Sequence, residues 1–117
     1  MYAKEIKKMK YIITGKGGQG VLFIAKTLSY ALMLSKIYNF TFLKEFDEGQ
    51  RNGEIKITFM VPMDLPDKEL IVKENNILEL KKISKELLID DKYIKGALEF
   101  IKPNAFEKNW RMYNETN

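Results

Sequence analysis

Residues 10–36 read KYIITGKGGQGVLFIAKTLSYALMLSK, and the order of residue types in that stretch decides the fold. Tyr11, Ile12 and Ile13 form a short apolar run rich in β-branched side chains, as a buried strand requires. Gly15, Gly17, Gly18 and Gly20 follow, with Lys16 and Gln19 between them. From Val21 to about Lys36 the chain is apolar again and rich in Leu, Ala and Met, which predicts a helix. The pattern is strand, glycine turn, helix. Glycine serves where the backbone must take positive φ or let another group come close. Such a turn also presents free N–H groups at a helix N-terminus, where the dipole favours an anion.

The spacing Gly15-x-Gly17-x-x-Gly20 satisfies a dinucleotide-binding fingerprint, which is weak evidence standing alone. A P-loop is excluded, because Val21 and Leu22 follow Gly20 where a Lys-Ser/Thr pair would have to stand. Two readings of the turn stay open: an anion site for phosphate or carboxylate, and a glycine-tight β–α turn that holds no ligand.

Downstream, Tyr38–Phe46 alternates around Phe40 and Phe42 and predicts a strand. Glu54–Val61 alternates more cleanly, with Ile55, Ile57, Phe59 and Val61 on one face. The polar loop Asp47–Gly53 between them is too short for a parallel crossover, so if these strands pair they pair antiparallel. A dinucleotide-binding half would place a helix there, which weakens an NAD-dehydrogenase reading. Glu69–Lys73 is a further short strand candidate. Asn75–Ile89 predicts an amphipathic helix, Asp90 and Asp91 supply caps for another over Lys92–Lys102, and Pro103 stops it. Asn104 is placed to cap a last helix carrying Phe106 and Trp110, the latter read as a packing anchor.

The chain has 117 residues, a length suited to one domain. The expected organisation is a basic lead-in over 1–10, a glycine-turn α/β half over 10–62, and a mostly helical remainder over 63–117. The expected class is α/β, with a Rossmann-like start and a small mixed sheet flanked by helices. A composition of 45% hydrophobic and 31% charged residues is that of a globular protein. The net charge of +4 suits an acidic partner or a phosphorylated ligand, and equally plain solubility. No nucleic-acid-binding motif is present.

The sequence contains no cysteine and no histidine. That excludes disulfides, a Cys-ligated iron–sulfur cluster, a thiolate zinc site and a catalytic Cys or His within this chain. No metal site or catalytic residue is expected. No signal peptide or membrane span is read in the sequence, so a cytoplasmic location is expected. The predicted first helix is apolar around most of its circumference, more than one sheet face needs. Either another element of the same chain or a partner protein must cover the surplus, and in so short a chain the partner is expected.

The wording Gly15-Lys16-Gly17-Gly18-Gln19-Gly20 resembles the G-x-G-G-Q-G signature of the γ subunit or γ domain of 2-oxoacid:ferredoxin oxidoreductases. This family acts on pyruvate, 2-oxoglutarate, branched-chain 2-oxoacids or indolepyruvate. Its second motif, Arg-Gly-Gly before a strand ending near a proline, is matched by Arg51-Asn52-Gly53 before Glu54–Val61 and Pro62. Asn52 departs from the pattern, although Asn tolerates left-handed backbone better than most residues. The likeness covers about Met9–Pro62, with an echo at Asn104–Phe106. Family members are longer, so the resemblance implies a shortened or divergent relative.

It further implies a non-catalytic γ-type subunit supporting oxidative decarboxylation of a 2-oxoacid to an acyl-CoA. Coenzyme A would be handled at Gly15, Gly17, Gly18, Gln19, Gly20, Arg51, Asn52 and Gly53. Thiamine diphosphate and iron–sulfur clusters would sit on other subunits of a hetero-oligomer that passes electrons to ferredoxin. A free-standing nucleotide- or phosphate-binding domain is the alternative, and a structural or regulatory element that binds no small molecule is the other.

Overall fold

The computed structural model describes residues 7–16, 20–37, 40–46, 54–72 and 76–115, and for 44–46 the backbone alone. Its centre is strand β1, Met9–Lys16, flanked by β3, Glu54–Val61, on one side and β4, Lys68–Ile71, on the other. β3 runs antiparallel to β1, β4 runs parallel to it, and β2, Thr41–Phe46, completes the sheet beyond β3 in the order β2-β3-β1-β4. The sheet is therefore mixed, and β2 and β3 pair antiparallel as their connection demands.

The alternation read in the sequence sets the burial. Met9, Tyr11 and Ile13 of β1 and Ile57, Phe59 and Val61 of β3 are almost wholly buried on one face. On the other face Lys10, Lys16 and Lys56 are exposed, and Ile12, Thr14, Thr58 and Met60 are half-buried. Strand β1 begins at Met9, inside the expected lead-in, because that side chain belongs to the core. The segment from β3 to β4 crosses the start of β1, where the Lys10 amide donates to Asp67 Oδ1 at 2.9 Å.

Helices α1 (Val21–Leu34), α2 (Asn76–Glu86), α3 (Asp91–Ile101) and α4 (Phe106–Glu115) complete the fold. Asp90 caps α3, accepting from the Lys92 amide at 3.0 Å. Asn104 does not cap α4: it lies inside a 3-10 turn, Pro103–Ala105, that leads into the helix. A proline opening a tight turn supplies the fixed φ there instead.

Other elements of the same chain cover much of the surplus apolar surface of α1, the alternative to the partner that the sequence favoured. Ile24, Ala25, Leu28, Ala31 and Leu32 are all fully buried within this chain, where α1 packs against the sheet and its own neighbours α2 and α3. Gly96 of α3 allows the close approach, since a Cβ there would stand 3.1 Å from Leu34 Cδ1. Met33, Leu34 and the α3 residue Phe100 remain exposed along the α1–α3 seam.

Both α1 and α2 end in Schellman turns whose left-handed residue is not glycine. Ile37 N–H reaches Leu32 O at 2.9 Å past Lys36 at φ 64°, and Ile89 N–H reaches Ser84 O at 2.9 Å past Leu88 at φ 58°. Leu88 is also 77% exposed. Leu88→Gly should stabilise the chain by about 1 kcal/mol, because glycine carries no Cβ penalty in that region. A denaturant midpoint that fell instead would show that Leu88 makes compensating contacts.

The C-terminal helix is fastened by a buried phenol. Tyr113 Oη donates to Asp91 Oδ1 at 3.0 Å and shares a 2.7 Å hydrogen bond with Ser84 Oγ. Lys81 Nζ donates to the Tyr113 carbonyl at 2.8 Å, and Trp110 stacks on the Tyr113 ring at 5.4 Å. Trp110 is thus a packing residue, as its helical spacing predicted. Burial pushes the Tyr113 phenol up to about 12; the hydrogen bond with Ser84 opposes the rise, and the charge and hydrogen bond of Asp91 add to it. A phenol with a raised folded pKa stabilises below its unfolded value near 10 and loses that stabilisation as pH climbs through 12. Tyr113→Phe should cost about 1–2 kcal/mol at pH 7. Urea titrations of the two proteins should show that gap narrowing between pH 10 and 12.

Candidate functional site

The parallel pairing of β1 with β4 brings the C-terminal ends of both strands to one edge, tied by Val72 N–H to Thr14 O at 2.8 Å. Helix α1 starts just beyond the first end and α2 just beyond the second. Crevices outside the carboxyl ends of parallel strands are where α/β sheets receive ligands.

Gly20 is the N-cap of α1, at φ 81° and ψ 20°, in the left-handed region. Its carbonyl accepts the first helical hydrogen bond, from Ile24 N–H at 3.0 Å. A Cβ at Gly20 would fall 2.5 Å from Asn76 Nδ2 and 3.0 Å from Asn76 Cβ, so the first residue of α2 lies directly over this glycine. Gly20 is needed twice over, for its backbone angle and for the approach of α2. Sequence reading did not find Asn76, which lies far along the chain and carries no local signal linking it to the turn.

The remaining predicted residues divide. Gly15 is buried inside β1, opposite Ile55, rather than in the turn. Lys16 ends the strand opposite Glu54. Gly17, Gly18, Gln19, Arg51, Asn52 and Gly53 lie outside the described residues.

The electrostatics of the two helix starts differ. Gly20 has no side chain with which to cap α1, and the first turn of that helix contains no acidic residue. The first turn of α2 holds Glu79, whose side chain is only 8% exposed and approaches Lys82 at 3.8 Å. Its second carboxylate oxygen is buried with no hydrogen-bond partner among the described residues. That buried carboxylate sets the start of α2 apart from the start of α1. Deeper in the same layer, Tyr11 Oη donates to Glu86 Oε2 at 2.6 Å, and Lys68 pairs with Glu86 at 3.6 Å. Burial, and then the Glu86 carboxylate, hold the Tyr11 phenol well above its ordinary pKa, so it is a structural donor at neutral pH.

Among the described residues no three His, Cys, Asp or Glu side chains come together as a metal cluster, and no helix is long and apolar enough to cross a membrane.

The class this architecture defines is a mixed α/β protein with a glycine-turned β–α unit at the centre of its sheet. Within that class the chain shares its fold with γ subunits of 2-oxoacid oxidoreductases. It superimposes on pyruvate oxidoreductase subunit PORC from Thermotoga maritima with a TM-score of 0.65 at 12% identity, covering 93% of this chain and 97% of that one. With the γ subunit of a keto/oxoacid ferredoxin oxidoreductase from Geobacter sulfurreducens the TM-score is 0.59 at 11% identity, covering 91% and 98%. No protein-family model matches the sequence, and no curated protein matches it significantly.

Gly20→Ala tests the reading of the turn. The left-handed backbone and the displaced Asn76 should together cost about 2 kcal/mol or more in denaturant unfolding. Asn76→Gly in the same chain should recover the part due to the clash; equal losses in the single and double variants would show that Asn76 does not press on Gly20.

Proposed function

We propose that this chain is a non-catalytic γ-type subunit of a 2-oxoacid:ferredoxin oxidoreductase. The complex would decarboxylate a 2-oxoacid oxidatively, form an acyl-CoA and pass electrons to ferredoxin. The observation that carries the reading is the likeness in fold to γ subunits of such enzymes over more than nine-tenths of the chain. The glycine wording ahead of α1 supports it independently.

The subunit's own contribution is assembly and the handling of coenzyme A. A CoA phosphate would accept hydrogen bonds from the first-turn amides of α1, with Gly17 and Gly18 allowing close approach and Gln19 alongside. Arg51 would clasp phosphate bidentately from the Asn52–Gly53 loop. Bound coenzyme A supplies the thiol that accepts the acyl group; the residues of this chain would only bind and orient its phosphates. Thiamine diphosphate and iron–sulfur clusters belong to partner subunits under this reading, and the chain is located in the cytoplasm with them.

Affinity purification from the native cell should recover the chain with a thiamine-binding and a Cys-rich subunit, and the isolated chain should be inactive. In a thermal-shift titration, CoA at a hundredfold excess over its Kd should stabilise the complex by about 2.7 kcal/mol, and Arg51→Ala should reduce that shift. A chain that elutes alone yet is stabilised by CoA would be a free-standing ligand-binding domain. One that elutes alone and is stabilised by nothing would be a structural element.

A further inference from the structure

The solvent side of the α1–α3 seam carries an apolar patch with a cationic border. Tyr30 and Phe100 stack face to face across the two helices, with ring centroids 4.3 Å apart and planes within 8°. Phe100 is nevertheless 63% exposed, and Met33 and Leu34 beside it are 50% and 39% exposed. The stack holds a large aromatic ring in one orientation at the surface, which lowers the ordering cost of burying it against something else. Contiguous exposed apolar surface with a polar border marks an interaction site, and aromatic anchors dominate such sites.

Among the described residues the border on the α1 side carries only lysines as charged groups. Lys26 lies on the same stripe of α1 as Tyr30 and Met33, at i, i+4 and i+7. Lys36 is exposed at the end of α1, and Lys102 closes the other end, its Nζ 5.0 Å above the Phe23 ring. Helix α1 contains no acidic residue at all. The neighbouring acid of α3, Glu99, lines a shallow groove with Pro103 and Arg111 toward α4. The open sheet face differs: it exposes Leu43 and Ile71 but mixes Lys10, Lys16 and Lys56 with Glu54 and Glu69.

We propose that the Tyr30–Phe100 stack, with Met33 and Leu34 and the border of Lys26, Lys36 and Lys102, docks a partner protein whose contacting surface has an apolar centre and an acidic rim. A second copy of this chain is disfavoured, since a two-fold contact would set lysine against lysine. The surface is assigned whether or not the partner is an oxidoreductase subunit.

Site-specific photocrosslinking in the native cell tests it, with p-benzoylphenylalanine placed at position 100 and, separately, at position 43 on the sheet. Position 100 should crosslink to one protein, through a segment rich in Asp and Glu, and position 43 should not. Lys26→Glu with Lys36→Glu should lower the crosslink yield about tenfold or more through like-charge contact, with the helical content unchanged by circular dichroism. Lys56→Glu on the sheet face should leave the yield as it was. Crosslinks from position 100 to a second copy, to lipid, to a basic surface or to nothing overturn the proposal. Crosslinks from position 43 to thiamine-binding or Cys-rich subunits, with none from position 100, would uphold the proposed subunit role while removing this surface. An acid-rich crosslink from position 100 in a chain that never joins such subunits would do the reverse.

Discussion

Strand β1 is the constraint on which the rest of the molecule depends. It hydrogen-bonds antiparallel to β3 and parallel to β4, so it sets both the register of the sheet and the side from which helices leave it. Because β1 and β4 run the same way, α1 and α2 start at the same edge and must pass close to each other. Gly20 makes that passage possible. The inward face of β1 also seats the second layer: Met9, Tyr11 and Ile13 are buried there, and the Tyr11 hydroxyl reaches Glu86 at 2.6 Å. A hydrogen bond to a carboxylate is among the stronger neutral-pH contacts, yet its net worth is only about 1.5–3 kcal/mol. Apolar burial supplies the bulk of the stability, and this bond fixes where α2 lies.

The helical layer repeats that division of labour. Gly96, Leu34 and the buried stripe of α1 bring α1 and α3 into close contact through packing alone. Helix α4, with only Tyr113 fully buried, depends on a directional network through Ser84, Asp91 and Lys81. A helix with little apolar surface to bury needs such bonds to hold its orientation.

At the candidate site, charge distinguishes one helix start from the other. Helix α1 is free of acids in its first turn, whereas α2 buries Glu79 in its own. The fold is shared with γ subunits at 11–12% identity, which is possible because burial pattern and turn geometry, rather than side-chain identity, specify this architecture.

Much of this was legible in the order of residues. The strand–glycine–helix unit follows from apolar runs on either side of Gly15–Gly20. The buried face of Glu54–Val61 follows from period-two alternation, and the antiparallel pairing of β2 with β3 follows from the length of their connection. Asp90 as a cap and Trp110 as a packing residue were readable from local chemistry. Periodicity states which face of an element is buried but not what buries it. The covering of α1 by α3, the parallel partner of β1, the placement of Gly15 within a strand and the pressing of Asn76 on Gly20 were all decided by tertiary structure. Each depends on contacts between residues far apart in the chain, which no local pattern encodes.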